Sequence, residues 1–166
     1  WRRKLLGDGE SSPSVEQLES VVALQLETGD IAGTYKSFFK LALVDSANAY
    51  SYYSRLATFA EKNGNEANLL KAREGMVRAN PKDLETVAEL VEWNINQDQF
   101  KAARRWLERG LGSEENAAHL LVLKGDLLLR QGAEDEALAA YEKAKADPAW
   151  ERVAQQRIWK INPPET

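Results

Sequence analysis

The chain has 166 residues, 43% of them hydrophobic and 29% charged, which suits one folded domain or a short array of repeats. Its net charge of -4 argues against a nucleic-acid partner, because such binding draws its strength from a basic surface that neutralises phosphates. There is no cysteine, which removes disulfides, thiolate nucleophiles and cysteine-bound metals, and no run of about 18 apolar residues that could cross a membrane.

Residues 1–13 are rich in charge, Gly and Ser, without a period, and read as a linker or juxtamembrane tail. Trp1-Arg2-Arg3-Lys4 has the aromatic-then-basic pattern of the cytoplasmic end of a membrane span, and equally that of a plain basic linker. Ser14 with Gln17 forms a capping box that opens the first helix, whose apolar stripe is Val15, Leu18, Val22 and Leu26. Gly29-Asp30 separates it from a second helix with Tyr35, Phe38, Phe39, Ala42 and Leu43 on one face. A third helix begins near Ala49, with Tyr53, Leu56, Ala57 and Ala60, and stops at Asn63-Gly64. A fourth, Glu66 to Ala79, carries Leu69, Leu70, Ala72, Met76 and Val77 and ends at Asn80-Pro81. Val87, Leu90 and Val91 mark the fifth, in which Asn94 takes a large apolar position; Gln97-Asp98-Gln99 is its turn. Phe100, Ala103 and Leu107 mark the sixth, and Gly110-Leu111-Gly112-Ser113 is read as its stop. The segment from Ala117 to Trp150 forms two more helices, with stripes Leu121, Gly125, Leu128 and Ala137, Tyr141, Ala144, broken at Gly132 and closed at Asp147-Pro148. A last helix, 149–161, places Trp150, Val153, Ala154, Ile158 and Ile161 on one face, before a tail at 163–166.

The pattern Leu121-x2-Lys124-Gly125-x2-Leu128, then Ala137-x3-Tyr141, then Pro148 resembles the tetratricopeptide repeat (TPR) of 34 residues. The same register gives frames 118–151, 84–117 and 50–83, the last as Tyr53-x2-Leu56-Ala57-x2-Ala60, and loosely 16–49, where Val22, Ala23, Leu26, Phe39 and Ala42 fit and Glu19 does not. Leu69 and Arg73 depart from the pattern, standing where Ala and an aromatic are usual. The resemblance implies an all-α, right-handed α-solenoid of antiparallel helix pairs over 14–162, with about nine helices and the last one capping the stack. It also implies that the first helix of each repeat lines a groove. The partner-facing positions are then Ser54 and Thr58, with Ser51, Glu61 and Lys62 beside them; Glu85, Glu92, Ile95 and Asn96, with Ala88; and His119, Val122, Asp126, Leu129 and Arg130. Ser54 and Thr58 differ from the Lys and Asn that clamp a chaperone's carboxy terminus in some family members, so that activity is not expected. Val122 and Leu129, two turns apart, would suit the apolar side of a partner helix or peptide if exposed.

Little else suggests chemistry. His119 is the lone histidine, no glycine-rich phosphate loop occurs, and the Glu134-Asp135-Glu136 run sits at a helix start, where the dipole favours negative charge. No catalytic residue, cofactor or metal is expected. Trp93 and Trp106 suit packing between hairpins or, less often, an interface anchor. Glu85, Glu89 and Glu92 line one helix and Lys101, Arg104, Arg105 and Arg109 the next, either as solvated faces or as an acidic and a basic side. The sequence therefore points to a non-enzymatic scaffold that binds a peptide, helix or partner domain. The expected setting is the cytoplasmic side of a bacterial inner membrane, tethered by a segment before Trp1, in an envelope or exopolysaccharide-export assembly; a periplasmic site is the alternative. A homo-oligomer is the second expectation, built as a self-associating assembly module through apolar residues such as Val15, Leu18 or Phe38.

Overall fold

The computed structural model describes residues 13–164, so positions 1–12 of the expected linker and 165–166 of the tail lie outside the described residues. Nine α-helices run through the described residues: α1 Val15–Thr28, α2 Ile31–Val44, α3 Ala49–Lys62, α4 Glu66–Ala79, α5 Leu84–Asn96, α6 Phe100–Ser113, α7 Ala118–Arg130, α8 Glu134–Ala144 and α9 Pro148–Ile161. A 3-10 turn, Ser46–Asn48, leads into α3. The architecture is the all-helical, TPR-like one.

The 34-residue step is built into the backbone. Helices α4, α6 and α8 start at Glu66, Phe100 and Glu134, one step apart each time. Two residues before each start the chain turns through a left-handed residue: Gly64 (φ 63°), Asp98 (φ 56°) and Gly132 (φ 79°). Glycine suits that conformation, and Asp is among the few other residues that tolerate it. Gly132→Ala should therefore cost about 1–2 kcal/mol, although nothing lies within 4 Å of the added methyl. Gly112→Ala, equally open but inside α6 with ordinary helical backbone, should instead gain up to about 1 kcal/mol. Urea denaturation of the two variants reads both signs.

The chain folds as two compact units that meet within α4, one ending at Gly75 and the other starting at Met76. In the first unit α1 packs on α2 and α2 on α3. The Ser14 capping box closes the start of α1, with the Ser14 side chain accepting from the Gln17 amide and the Gln17 side chain accepting from Ser14. Leu18, Val22, Tyr35, Phe38, Leu41 and Leu56 form the centre of its core, and Tyr35 meets Phe59 edge to face at 5.2 Å. Two expected core residues are not there. Leu43 is 76% exposed, because helical rotation carries it to the side of α2 opposite Phe38 and Ala42. Leu26 is 44% exposed in the last turn of α1, at the edge of its stripe, and Ala23 is exposed beside it. Tyr52, adjacent to the expected Tyr53, is the buried ring, and its hydroxyl lies 3.2 Å from both Glu19 and Asp45. That contact accounts for Glu19 at a position where the repeat pattern has no acid. The departure at Leu69 and Arg73 has a local answer too. Tyr53 on α3 supplies the ring, and Gly75 on α4 supplies the small residue that it covers.

In the second unit α5 packs on α6, α6 on α7, α7 on α8 and α8 on α9. Tyr141, Ala137 and Ala144 are wholly buried, and a Cβ at Gly125 would run into the Tyr141 ring. Gly110 does not stop α6; the helix runs on to Ser113 and caps at Glu114. The glycine is instead a packing residue, for a side chain there would meet Leu120 and Val87. Asn94 is buried at its apolar position because its side-chain amide donates to the Leu90 carbonyl at 2.6 Å, one turn back along the same helix. Asp147 caps α9 and Pro148 fills its first position, as the missing N–H of proline allows. Ala154 and Ile158 of α9 are buried, and Trp150, Val153 and Ile161 pack against the same core.

Candidate functional site

In the second unit the first helices of successive pairs, α5 and α7, lie side by side, and α9 extends the row beyond α7. Their shared surface holds a groove of about 520 Å³. Glu85, Glu89 and Glu92 of α5 form one wall, His119, Val122, Leu123 and Asp126 of α7 the floor, and Trp150, Val153 and Arg157 of α9 the other wall. A second depression of about 320 Å³ continues it towards the helix C-termini, past Ile95, Asn96, Leu129, Arg130 and Lys160. Glu92, Leu123, Asp126 and Arg157 belong to both.

The geometry follows from the helical repeat. Glu85, Glu89 and Glu92 recur at four and three, so they share one face of α5, while Val87, Leu90 and Val91 turn to the core. Asp126 anchors the floor. Its Oδ1 accepts from the Tyr141 hydroxyl at 2.7 Å and from Arg157 Nε at 2.9 Å, joining α7, α8 and α9 through one oxygen. The Asp126 carboxylate holds the Arg157 guanidinium above its ordinary pKa. His119 is half-buried; its Nε2 lies 3.2 Å from the Leu84 carbonyl, within reach of a hydrogen bond in the tautomer that carries the proton on Nε2. The His119 ring centre is 5.8 Å from that of Trp150.

Burial holds two tyrosines in their neutral form. Burial, then the Glu19 and Asp45 carboxylates, push Tyr52 up to about 12, and burial with the Asp126 bond raises Tyr141 further. In the unfolded chain both phenols ionise near their ordinary value of about 10. A raised folded value gives stability that is complete below pH 10 and is lost as pH climbs from 10 towards the raised values. The midpoint of denaturation should therefore fall steadily above pH 10, and between pH 10 and about 12 the phenolate absorbance of Tyr52 should rise mainly as the chain unfolds.

Ten of the sequence-derived positions lie along this surface: Glu85, Ala88, Glu92, Ile95, Asn96, His119, Val122, Asp126, Leu129 and Arg130. Val122 is a correction, since it is only 3% exposed and belongs to the core, and Ile95, 5% exposed, is likewise mostly covered. The half-buried Leu123 beside Val122 offers the apolar contact instead. Arg130 also pairs with Asp98 in the turn ahead of α6 and lies over the Phe100 ring. Ser54 and Thr58 are in the first unit, where the Thr58 hydroxyl donates to the Ser54 carbonyl at 3.2 Å. Sequence reasoning missed Leu123, Trp150, Val153, Arg157 and Lys160 as groove residues. Reading 149–161 as a cap rather than as a further first helix hid the last four. Trp106 is half-buried with Arg109 over its ring, on the basic face of α6, away from the groove.

No family model matches the sequence, and no curated protein does. The fold is similar to that of solved structures of MamA, a TPR-like solenoid. One MamA structure superposes with a TM-score of 0.58 at 19% identity, over 86% of this chain and 84% of that one. Another, of MamA protein, gives a TM-score of 0.54 at 20% identity over 80% and 72%. A third, of MamA MSR-1 C2, gives 0.51 at 15% over 90% and 82%. At these identities the likeness is one of fold.

Proposed function

We propose that the chain is a non-enzymatic interaction scaffold that holds a segment of a partner protein against α5, α7 and α9. The observation that carries this reading is the groove itself: about 520 Å³, apolar along Leu123, Val153 and Trp150, and rimmed by charge. Ligand and peptide sites combine apolar walls with a few placed polar groups in this way. A photocrosslinking amino acid at position 123, in the groove, is expected to trap a partner in native cells, and one at position 101, on the outer face of α6, is not. Equal adducts from both positions would sink the groove reading.

A second reading, self-association, has its own observation. The residues first expected to carry it are covered: Leu18 is 5% and Phe38 2% exposed, and Val15 packs on the same core. Others on the same two helices are open, namely Val21, Leu24, Leu43 and Val44. Sedimentation of wild type against Leu24→Glu with Leu43→Glu tests it: a monomer in both cases rules it out. We further propose a place beside a bacterial inner membrane, in an envelope or exopolysaccharide-export assembly; the basic Trp1-Arg2-Arg3-Lys4 stretch suits the cytoplasmic end of a membrane span and speaks to the membrane alone. Fractionation of native cells, with protease access from the periplasmic side, decides that placement.

A further inference from the structure

We infer that this groove selects a partner segment carrying Lys or Arg side chains next to a large apolar one, with the cationic residues lying along α5. The inference rests on the groove reading above and adds the chemistry of the occupant. Four carboxylates line the groove, from Glu85, Glu89, Glu92 and Asp126, against the single guanidinium of Arg157. Arg157 is already taken, because its Nε donates to Asp126 at 2.9 Å. That pair largely cancels, and the exposed Glu85 and Glu92 set the sign. The row is about 10 Å long at 1.5 Å per helical residue. The helix dipole explains only Glu85, in the first turn of α5; Glu89 and Glu92 lie deeper in the helix and gain nothing from its N-terminus.

The facing wall has a different character. Trp150 and Val153 stand across from the glutamates, with Leu123 between them. A lysine or arginine laid along α5 meets carboxylates on one side and the apolar wall of Leu123, Val153 and Trp150 on the other. Its aliphatic stem covers Leu123 while its head stays at the rim. The continuing depression is less acidic, since it sets Lys160 beside Glu92, the Asp126–Arg157 pair and Arg130, which pairs with Asp98. A segment with its cations beside Glu85 and Glu92 fits this order, and one with its cations at the far end meets Lys160 instead. A uniformly anionic segment meets repulsion along the whole glutamate row.

The test uses the whole chain and two fluorescein-labelled peptides, one with lysines interleaved among leucines and a twin with every lysine replaced by glutamate. The lysine peptide is expected to bind, more weakly as salt rises, and Glu85→Gln with Glu92→Gln should weaken it about tenfold or more. Both glutamates are exposed, so an unchanged thermal melt separates this effect from misfolding. Tighter binding of the glutamate twin overturns the charge selection and leaves the groove standing. Binding of the lysine peptide that ignores both the double variant and Leu123→Glu overturns the selection and the groove together. Failure of both peptides to bind also overturns the selection, while crosslinking from position 123 still reads the groove by itself.

Discussion

Tyr141→Ala should cost the second unit about 3–5 kcal/mol, the range for deleting a fully buried ring. The side chain has no exposed surface and sits among Ala137, Ala144, Ala154 and Ile158. Its ring lies over Gly125, where no other residue can follow it into the space. Against a typical total of about 5–15 kcal/mol, such a loss takes a large share of the folded population's margin. Tyr141→Phe keeps the ring and removes only the hydroxyl, so it should cost about 1 kcal/mol. Gly125→Ala attacks the same contact from the other side by overpacking, at about 1–3 kcal/mol. Urea midpoints of the three variants rank these effects. Equal losses for the Ala and Phe variants would mean that the hydroxyl, and not ring packing, dominates.

Asp126→Ala should destabilise by about 2–3 kcal/mol, because it strands a buried phenol donor and a guanidinium at once. The phenol carries most of this, since Tyr141 is wholly buried, while the Arg157 side chain is 34% exposed and its ion pair is screened by water. Asp126→Asn keeps an accepting oxygen and should fall between the variant and wild type. The phenol reports the change independently of stability: without the Asp126 bond, Tyr141 should titrate lower, though still above an ordinary tyrosine because burial is the larger cause. Freed of its partner, Arg157 also turns the groove less acidic. The lysine peptide should then bind more weakly even at temperatures where the variant is folded, and a gain in that binding would contradict the role given to the Asp126–Arg157 pair.

The repeat was legible because it is written in local signals. Gly64 and Gly132 mark left-handed turns, Ser14 and Asp147 cap helices through side-chain oxygens, and the spacing of Leu121, Gly125 and Leu128 names a face. Such features act within a few residues of themselves, so a single sequence shows them. The misreadings share the opposite property. Gly110 has the composition of a helix stop, but its role is set by Leu120 and Val87 on neighbouring helices. Asn94 looked out of place until its bond to Leu90 was visible. Leu43 is as apolar as Leu41, yet one is open and the other fully buried, because only one of them points at a neighbour.

The sequence by itself determined that this protein is a run of antiparallel helix pairs with a 34-residue period, where several of its caps and turns fall, among them Ser14, Gly64 and Gly132, and that one first helix carries an acidic row at Glu85, Glu89 and Glu92. Tertiary structure decided which of those faces form one surface. Whether Val122 or Leu123 opens into the groove, and whether α9 closes the stack or adds a third wall with Trp150 and Arg157, depends on rotations of tens of degrees about packed helices. Those rotations are fixed by contacts such as Tyr141 on Gly125 and Tyr141 and Arg157 on Asp126, between residues 15 to 31 positions apart. Periodicity along a chain fixes a side chain's angle around its own helix. Only the packed neighbours fix what that angle faces.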